Sequence, residues 1–84
     1  MYSYQMKIEI KKVKIDEFVE FLKSMLSKFR EEDGCIDFDL YRDIVKENIY
    51  SVIAYWKTQA AMDKHFKNKN FSLLIGSTKV LGRV

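Results

Sequence analysis

The chain has 84 residues, 48% hydrophobic and 32% charged, and its 15 basic and 12 acidic side chains leave a net charge of +3. That length accommodates one domain, residues 1–84, and excludes two, while the apolar content excludes disorder. A small charge on scattered lysines argues against nucleic acid, no apolar run approaches the roughly 20 residues of a membrane span, and a lone cysteine fits the reducing cytoplasm.

The first ten residues alternate. Tyr4, Met6, Ile8 and Ile10 fall on one face and Ser3, Gln5, Lys7 and Glu9 on the other, which is the period of a half-buried strand. The period then lengthens. Phe18, Phe21, Leu22, Met25, Leu26 and Phe29 recur every three or four residues, tracing the apolar stripe of an amphipathic helix. Asp16 and Glu17 suit its positive N-terminal end, and Gly34 supplies the left-handed residue that closes it. The intervening acidic run Glu31-Glu32-Asp33 opposes the dipole, so it is expected to be solvated or paired, with a frayed last turn. Strand alternation returns at Cys35, with Ile36, Phe38 and Leu40 facing one way and Asp37, Asp39, Tyr41 and Asp43 the other. Lys46-Glu47-Asn48 provides turn chemistry. Ile49 to Trp56 is apolar on both faces, as in a strand that sits in mid-sheet, or one with helices on one face and a second subunit on the other. Thr58 is placed to cap a helix over 59–67 with Ala61, Met62, His65 and Phe66 inward. Asn68-Lys69-Asn70 breaks that helix, and Asn70 is placed to cap the next, with Phe71, Leu74, Ile75, Thr78 and Leu81 inward.

The resulting order, β-α-β-β-α-α, predicts an α+β layer with helices on one face of an antiparallel sheet. It is a ferredoxin-like split unit whose C-terminal strand is missing or vestigial, reduced to residues 80–84. The first strand is then expected to keep an open edge, guarded by Lys7, Lys11 and Lys12 or covered by a second chain.

Three blocks carry a resemblance. Glu32-Asp33-Gly34-Cys35-Ile36-Asp37-Phe38-Asp39-Leu40-Tyr41-Arg42-Asp43, then Tyr55-Trp56-Lys57-Thr58 with Ala60-Ala61-Met62-Asp63-Lys64-His65-Phe66, then Asn70-Phe71 with the apolar helix after it, resemble the antibiotic biosynthesis monooxygenase (ABM) family. The resemblance covers nearly the whole chain up to Leu81. It implies a homodimer of ferredoxin-like subunits joined through their sheet faces as a dimeric α/β barrel, and an oxygenase of quinols or polyphenols without a cofactor. The pattern of the haem-degrading branch is absent: His65 stands where that branch has tryptophan, and Ile75 where it has its histidine ligand.

His65 is the only histidine and the only side chain whose ordinary pKa lies near neutrality, which makes it the candidate catalytic base. The bland alternative is a packed helix histidine satisfied by a carbonyl or a carboxylate. Trp56 offers an N–H to a ligand oxygen, or else serves as core. Tyr55 and Tyr41 carry phenols that suit a quinol; expected on opposite sheet faces, only one of them would reach a given pocket. Phe38, Met6, Phe21, Met62 and Phe66 would line the pocket for a small aromatic or apolar ligand. Asp37, Asp39 and Asp43 share a face, but no histidine or cysteine completes a metal set, so pairing with Lys7, Lys57 or Arg42 is expected. Cys35 reads as a small buried residue. Three accounts follow: a cofactor-independent monooxygenase using His65 as base, a non-catalytic dimeric small-ligand-binding module, and a subunit whose open first strand recruits a neighbour. A cavity shared by His65 and an aromatic hydroxyl or indole would favour the first, and a filled core around His65 the other two.

Overall fold

A computed structural model of the protein describes residues 1–83; Val84, at the end of the expected vestigial strand, lies outside them. In chain order the elements are β1 (Tyr2–Ile10), a 3-10 turn (Lys12–Lys14), α1 (Ile15–Arg30), β2 (Cys35–Arg42), β3 (Ile49–Trp56), α2 (Gln59–Phe66), α3 (Lys69–Leu81) and β4 (Gly82–Arg83). The strands form one antiparallel sheet in the order β2-β3-β1-β4, the arrangement of a ferredoxin-like fold. As the sequence leads one to expect, the last strand is a remnant. It pairs only with Glu9 and Ile10, so among the described residues the rest of β1 has no strand beside it on that edge.

Register decides which side chains meet. Tyr4 lies opposite Ala54, Met6 opposite Val52 and Ile8 opposite Tyr50, while Phe38 and Leu40 flank Ala54 and Val52 from β2. These residues share the face covered by the helices. α1 lays Phe18, Leu22, Met25 and Phe29 onto it, and α3 adds Leu74, Thr78 and Leu81. Phe18, Phe29, Phe38 and Trp56 are each at most 1% exposed, and full burial of such a side chain stabilises the fold by about 1.5–3 kcal/mol. The opposite face carries Ser51, Ile53 and Tyr55, all half-buried, with Asp37, Asp39 and Tyr41 beside them.

Three local expectations change. A bulge between Cys35 and Asp37 takes Ile36 out of the alternation, leaving it 44% exposed rather than inward; an extra residue on one strand has no partner to set its side. Asn68, not Asn70, caps α3, its Oδ1 accepting from the Asn70 N–H at 2.7 Å. The end of α1 is closed rather than frayed, with the Glu31 and Glu32 N–H groups bonding the carbonyls of Ser27 and Phe29. Thr58 caps α2 as expected, accepting from the Ala61 N–H at 3.1 Å.

Charged groups manage the open edge of β2. Arg30 at the end of α1 donates through Nε to the Phe38 carbonyl and through its guanidinium to Asp39, both at 3.0 Å. Asp39 therefore takes Arg30 as its partner rather than Lys7, Lys57 or Arg42. Asp43 folds into the hairpin turn, accepting from the N–H groups of Val45 and Lys46; those bonds, Lys46 first, hold its carboxyl below its ordinary pKa. At the base of the same turn Asn48 clasps β1, donating through Nδ2 to the Ile10 carbonyl and accepting the Ile10 N–H on its own carbonyl.

Gly34 joins α1 to β2 at φ +79°, and a Cβ built there would lie 2.5 Å from the Ala61 Cβ. The left-handed backbone alone costs an L-residue about 1–2 kcal/mol. Gly34→Ala is thus expected to lower unfolding free energy by at least about 2 kcal/mol, read from the midpoint of urea denaturation; an unchanged midpoint would contradict this packing.

Candidate active site

α2 delivers His65 into the layer between helices and sheet, where it is 1% exposed. An imidazole buried that deeply needs partners for both nitrogens, since an unmet buried polar group costs about 1–3 kcal/mol. It has both. Nδ1 lies 2.9 Å from Oε1 of Glu32, and Nε2 lies 2.7 Å from the hydroxyl of Tyr4. A carboxylate accepts and does not donate, so Nδ1 carries the proton, Nε2 is the acceptor, and the Tyr4 hydroxyl donates to it.

Aromatic rings surround this chain of three. Trp56 lies 4.5 Å from the imidazole centroid, Phe71 5.0 Å, Phe66 5.5 Å, Phe29 5.6 Å and Phe38 5.8 Å. Tyr4 also packs on Phe66 at 4.9 Å and meets Phe71 edge-on. Between Tyr4 and Phe38 the register sets Ala54, the smallest side chain of β3's inner face, leaving room above the sheet for larger rings.

Burial dominates the electrostatics. It lowers the His65 pKa, against the opposing hydrogen bond and charge of Glu32, so the ring is neutral near pH 7. Burial, followed by the charges of Glu32 and Cys35, pushes the Tyr4 phenol above its ordinary value and keeps it a donor. The Cys35 thiol is raised for the same first reason, which leaves it little thiolate character. The Trp56 Nε1 and the second Glu32 oxygen are buried and have no hydrogen-bond partner.

Of the residues read from the sequence, the structure gathers His65, Trp56, Phe38 and Phe66. Met6, Phe21 and Met62 pack against the same core. Tyr55 and Tyr41 lie elsewhere: both sit on the sheet face turned away from the helices, opposite Asp37 and Ser51, and Tyr41 is 54% exposed. The two phenols share one face instead of dividing between two, and neither shares the face that His65 covers. Sequence reasoning missed Tyr4 and Glu32 as site residues. Tyr4 was legible only as one apolar member of β1's inward face. Glu32 stood within the Glu-x-Gly-Cys block and read as part of an acidic run expected to be solvated or paired, with no partner named; the structure pairs it with His65. Five surface clefts among the described residues, about 250–480 Å³ each, include one beside this region lined by Asp33, Gly34, Lys57, Thr58, Ala60, Ala61 and Lys64, and none of these five is lined by His65.

Comparison with known proteins places the chain in a family. The antibiotic biosynthesis monooxygenase profile matches residues 1–74. The chain belongs to the ABM family. A Bacillus subtilis (strain 168) relative named "Putative monooxygenase YcnE" is 30% identical over 81 residues, covering 96% of this chain and 85% of its own. A crystal structure of an antibiotic biosynthesis monooxygenase superposes with a TM-score of 0.89 at 25% identity, over all of this chain and 88% of that one. A conserved protein of Methanosarcina mazei Go1 shares the fold at a TM-score of 0.87 and 24% identity, over 95% and 79% of the two chains. As the superposition on these two solved structures shows, the fold is a ferredoxin-like α+β layer. No helix among the described residues is long and apolar enough to cross a membrane.

A histidine held neutral by burial ties stability to pH. The unfolded chain binds a proton near the ordinary imidazole value of about 6.5, and the folded chain only at lower pH. The contribution of His65 is therefore complete above that value and is lost as pH falls through it toward the lower folded value. Melting temperature is expected to drop between about pH 7.5 and pH 5, and His65→Gln to remove that part of the slope. A His65→Gln protein with the wild-type slope would refute the assignment.

Proposed function

We propose that this ABM-family protein is a cofactor-independent monooxygenase of a quinol or polyphenol, with His65 as the proton acceptor. The observation that carries the reading is the Glu32–His65–Tyr4 hydrogen-bonded chain inside a cage of aromatic rings. A neutral imidazole with a carboxylate behind it is suited to take a phenolic proton. The phenolate then passes one electron to dioxygen, and recombination of the two radicals forms the C–O bond. Loss of water completes the balance: a hydroquinone and dioxygen yield a hydroxyquinone and water. The unpartnered Trp56 Nε1 is a donor suited to a ligand oxygen, and Phe38, Phe66 and Met62 offer the apolar contacts an aromatic ligand needs. A single cysteine supports the cytoplasm as the place of action.

The working unit in this reading is a homodimer joined through the outer sheet face. Ile53 and Tyr55 on that face, with Tyr41 beside them, offer an apolar surface that a second copy would cover. The two competing accounts, a small-ligand-binding module without catalysis and a subunit whose open first strand recruits a neighbour, draw on one observation, the filled core around His65.

Two measurements decide. Wild-type protein is expected to consume oxygen with a reduced quinone, and His65→Gln to slow that consumption at least about 100-fold with far-UV circular dichroism unchanged. No uptake across several hydroquinones would favour the binding module. Sedimentation at micromolar concentration is expected to give a dimer of the 10.0 kDa chain; a stable monomer would remove the sheet-face interface.

A further inference from the structure

We propose that Tyr4 is the catalytic residue that meets the substrate hydroxyl, with Glu32 behind it as the positioning residue that fixes His65 as the proton sink. This deepens the monooxygenase reading and rests on it. His65 has no free nitrogen: Nδ1 is engaged by Glu32 and Nε2 by Tyr4. The ring is 1% exposed, and neither it nor Tyr4 lines any of the five surface clefts described above. A substrate oxygen arriving at either nitrogen would first have to displace one of these partners.

Tyr4 is the aromatic member of the chain that keeps partial exposure; Glu32 also keeps some, as a carboxylate with 12% of its side chain exposed. Tyr4 is half-buried, and its ring lies against Phe66, which is 38% exposed, and Phe71, which is half-buried. An aromatic ligand stacked on these rings comes to rest beside the Tyr4 oxygen. A phenolic oxygen accepts one hydrogen bond while donating another, so the hydroxyl is able to pass a proton on without holding it.

The step is a double transfer. The substrate O–H bond breaks and its proton joins the Tyr4 oxygen, while the Tyr4 O–H bond breaks and its proton joins Nε2 of His65. The products are a substrate phenolate, an unchanged tyrosine and an imidazolium facing the Glu32 carboxylate. No tyrosinate accumulates, because burial and the neighbouring Glu32 charge keep that phenol protonated. Glu32 touches no substrate here. By accepting from Nδ1 it keeps the lone pair on Nε2, aimed at Tyr4, and it stabilises the imidazolium once formed.

The test uses the full chain and 4-nitrophenol, whose phenolate is yellow. Wild type is expected to bind the probe and raise its ionised fraction above that in buffer at the same pH. Tyr4→Phe keeps the ring contacts and is expected to bind within about threefold of wild type while losing the added ionisation. Glu32→Gln removes the charge and offers Nδ1 an amide that donates as well as accepts; the ionisation constant of the bound probe is expected to fall about tenfold. In the same variant, nitrogen NMR of His65 should move away from the single Nδ1–H tautomer expected in wild type and in Tyr4→Phe. Full ionisation by Tyr4→Phe, or none by wild type, overturns the relay, and an unmoved His65 tautomer in Glu32→Gln overturns the positioning role. Oxygen uptake separates the two readings. Ionisation without uptake of oxygen on any hydroquinone rejects the monooxygenase and keeps the relay, whereas uptake undiminished in Tyr4→Phe rejects the relay and keeps the monooxygenase.

Discussion

An imidazole sealed from water must have both nitrogens met from within the protein, and that requirement organises this small domain. Glu32 comes from the turn after α1, Tyr4 from β1 and His65 from α2, while the surrounding rings come from α1, β2, β3, α2 and α3. Nearly every element of the fold therefore ends at one ring. A hydrogen bond to a charged group contributes about 1.5–3 kcal/mol, a large share of the stability open to a chain this short. The packing that holds α2 against the sheet also keeps the ring neutral, and the bond to Glu32 fixes which nitrogen carries its proton.

Much of the scaffold was legible in the spacing of apolar residues. Period two over Tyr4 to Ile10 and period three to four over Phe18 to Phe29 each state which side faces inward, and the structure agrees at every one of those positions. Local competition among polar groups is harder to read. Asn68 and Asn70 are both good caps, and only the geometry of the bend chose between them. The bulge at Ile36 was invisible because an extra strand residue leaves the composition of the strand unchanged.

The site was less legible than the scaffold because its members are far apart in sequence. Tyr4 and His65 are 61 positions apart, and Glu32 and His65 are 33 apart. His65 announces itself by its type, but a tyrosine in an alternating strand looks like core and a glutamate beside Glu31 and Asp33 looks like surface. Their roles follow from Gly34, which turns the chain tightly enough against Ala61 to carry Glu32 inward beside α2. Tyr41 and Tyr55 show the converse: phenols of suitable chemistry that strand pleating sends to the other face.

The hairpin between β2 and β3 turns at the far end of the sheet from His65, some seven residues of β3 away, or roughly 20 Å. Asn48 holds its base with two hydrogen bonds to the backbone of Ile10, while Ile44 and Val45 at its tip are bathed in solvent. That clamp works as a firebreak. Insertions, deletions or a new recognition sequence in the tip would be absorbed before they propagated along the strands, so descendants of this fold are free to diversify one pole while the buried imidazole at the other stays as it is.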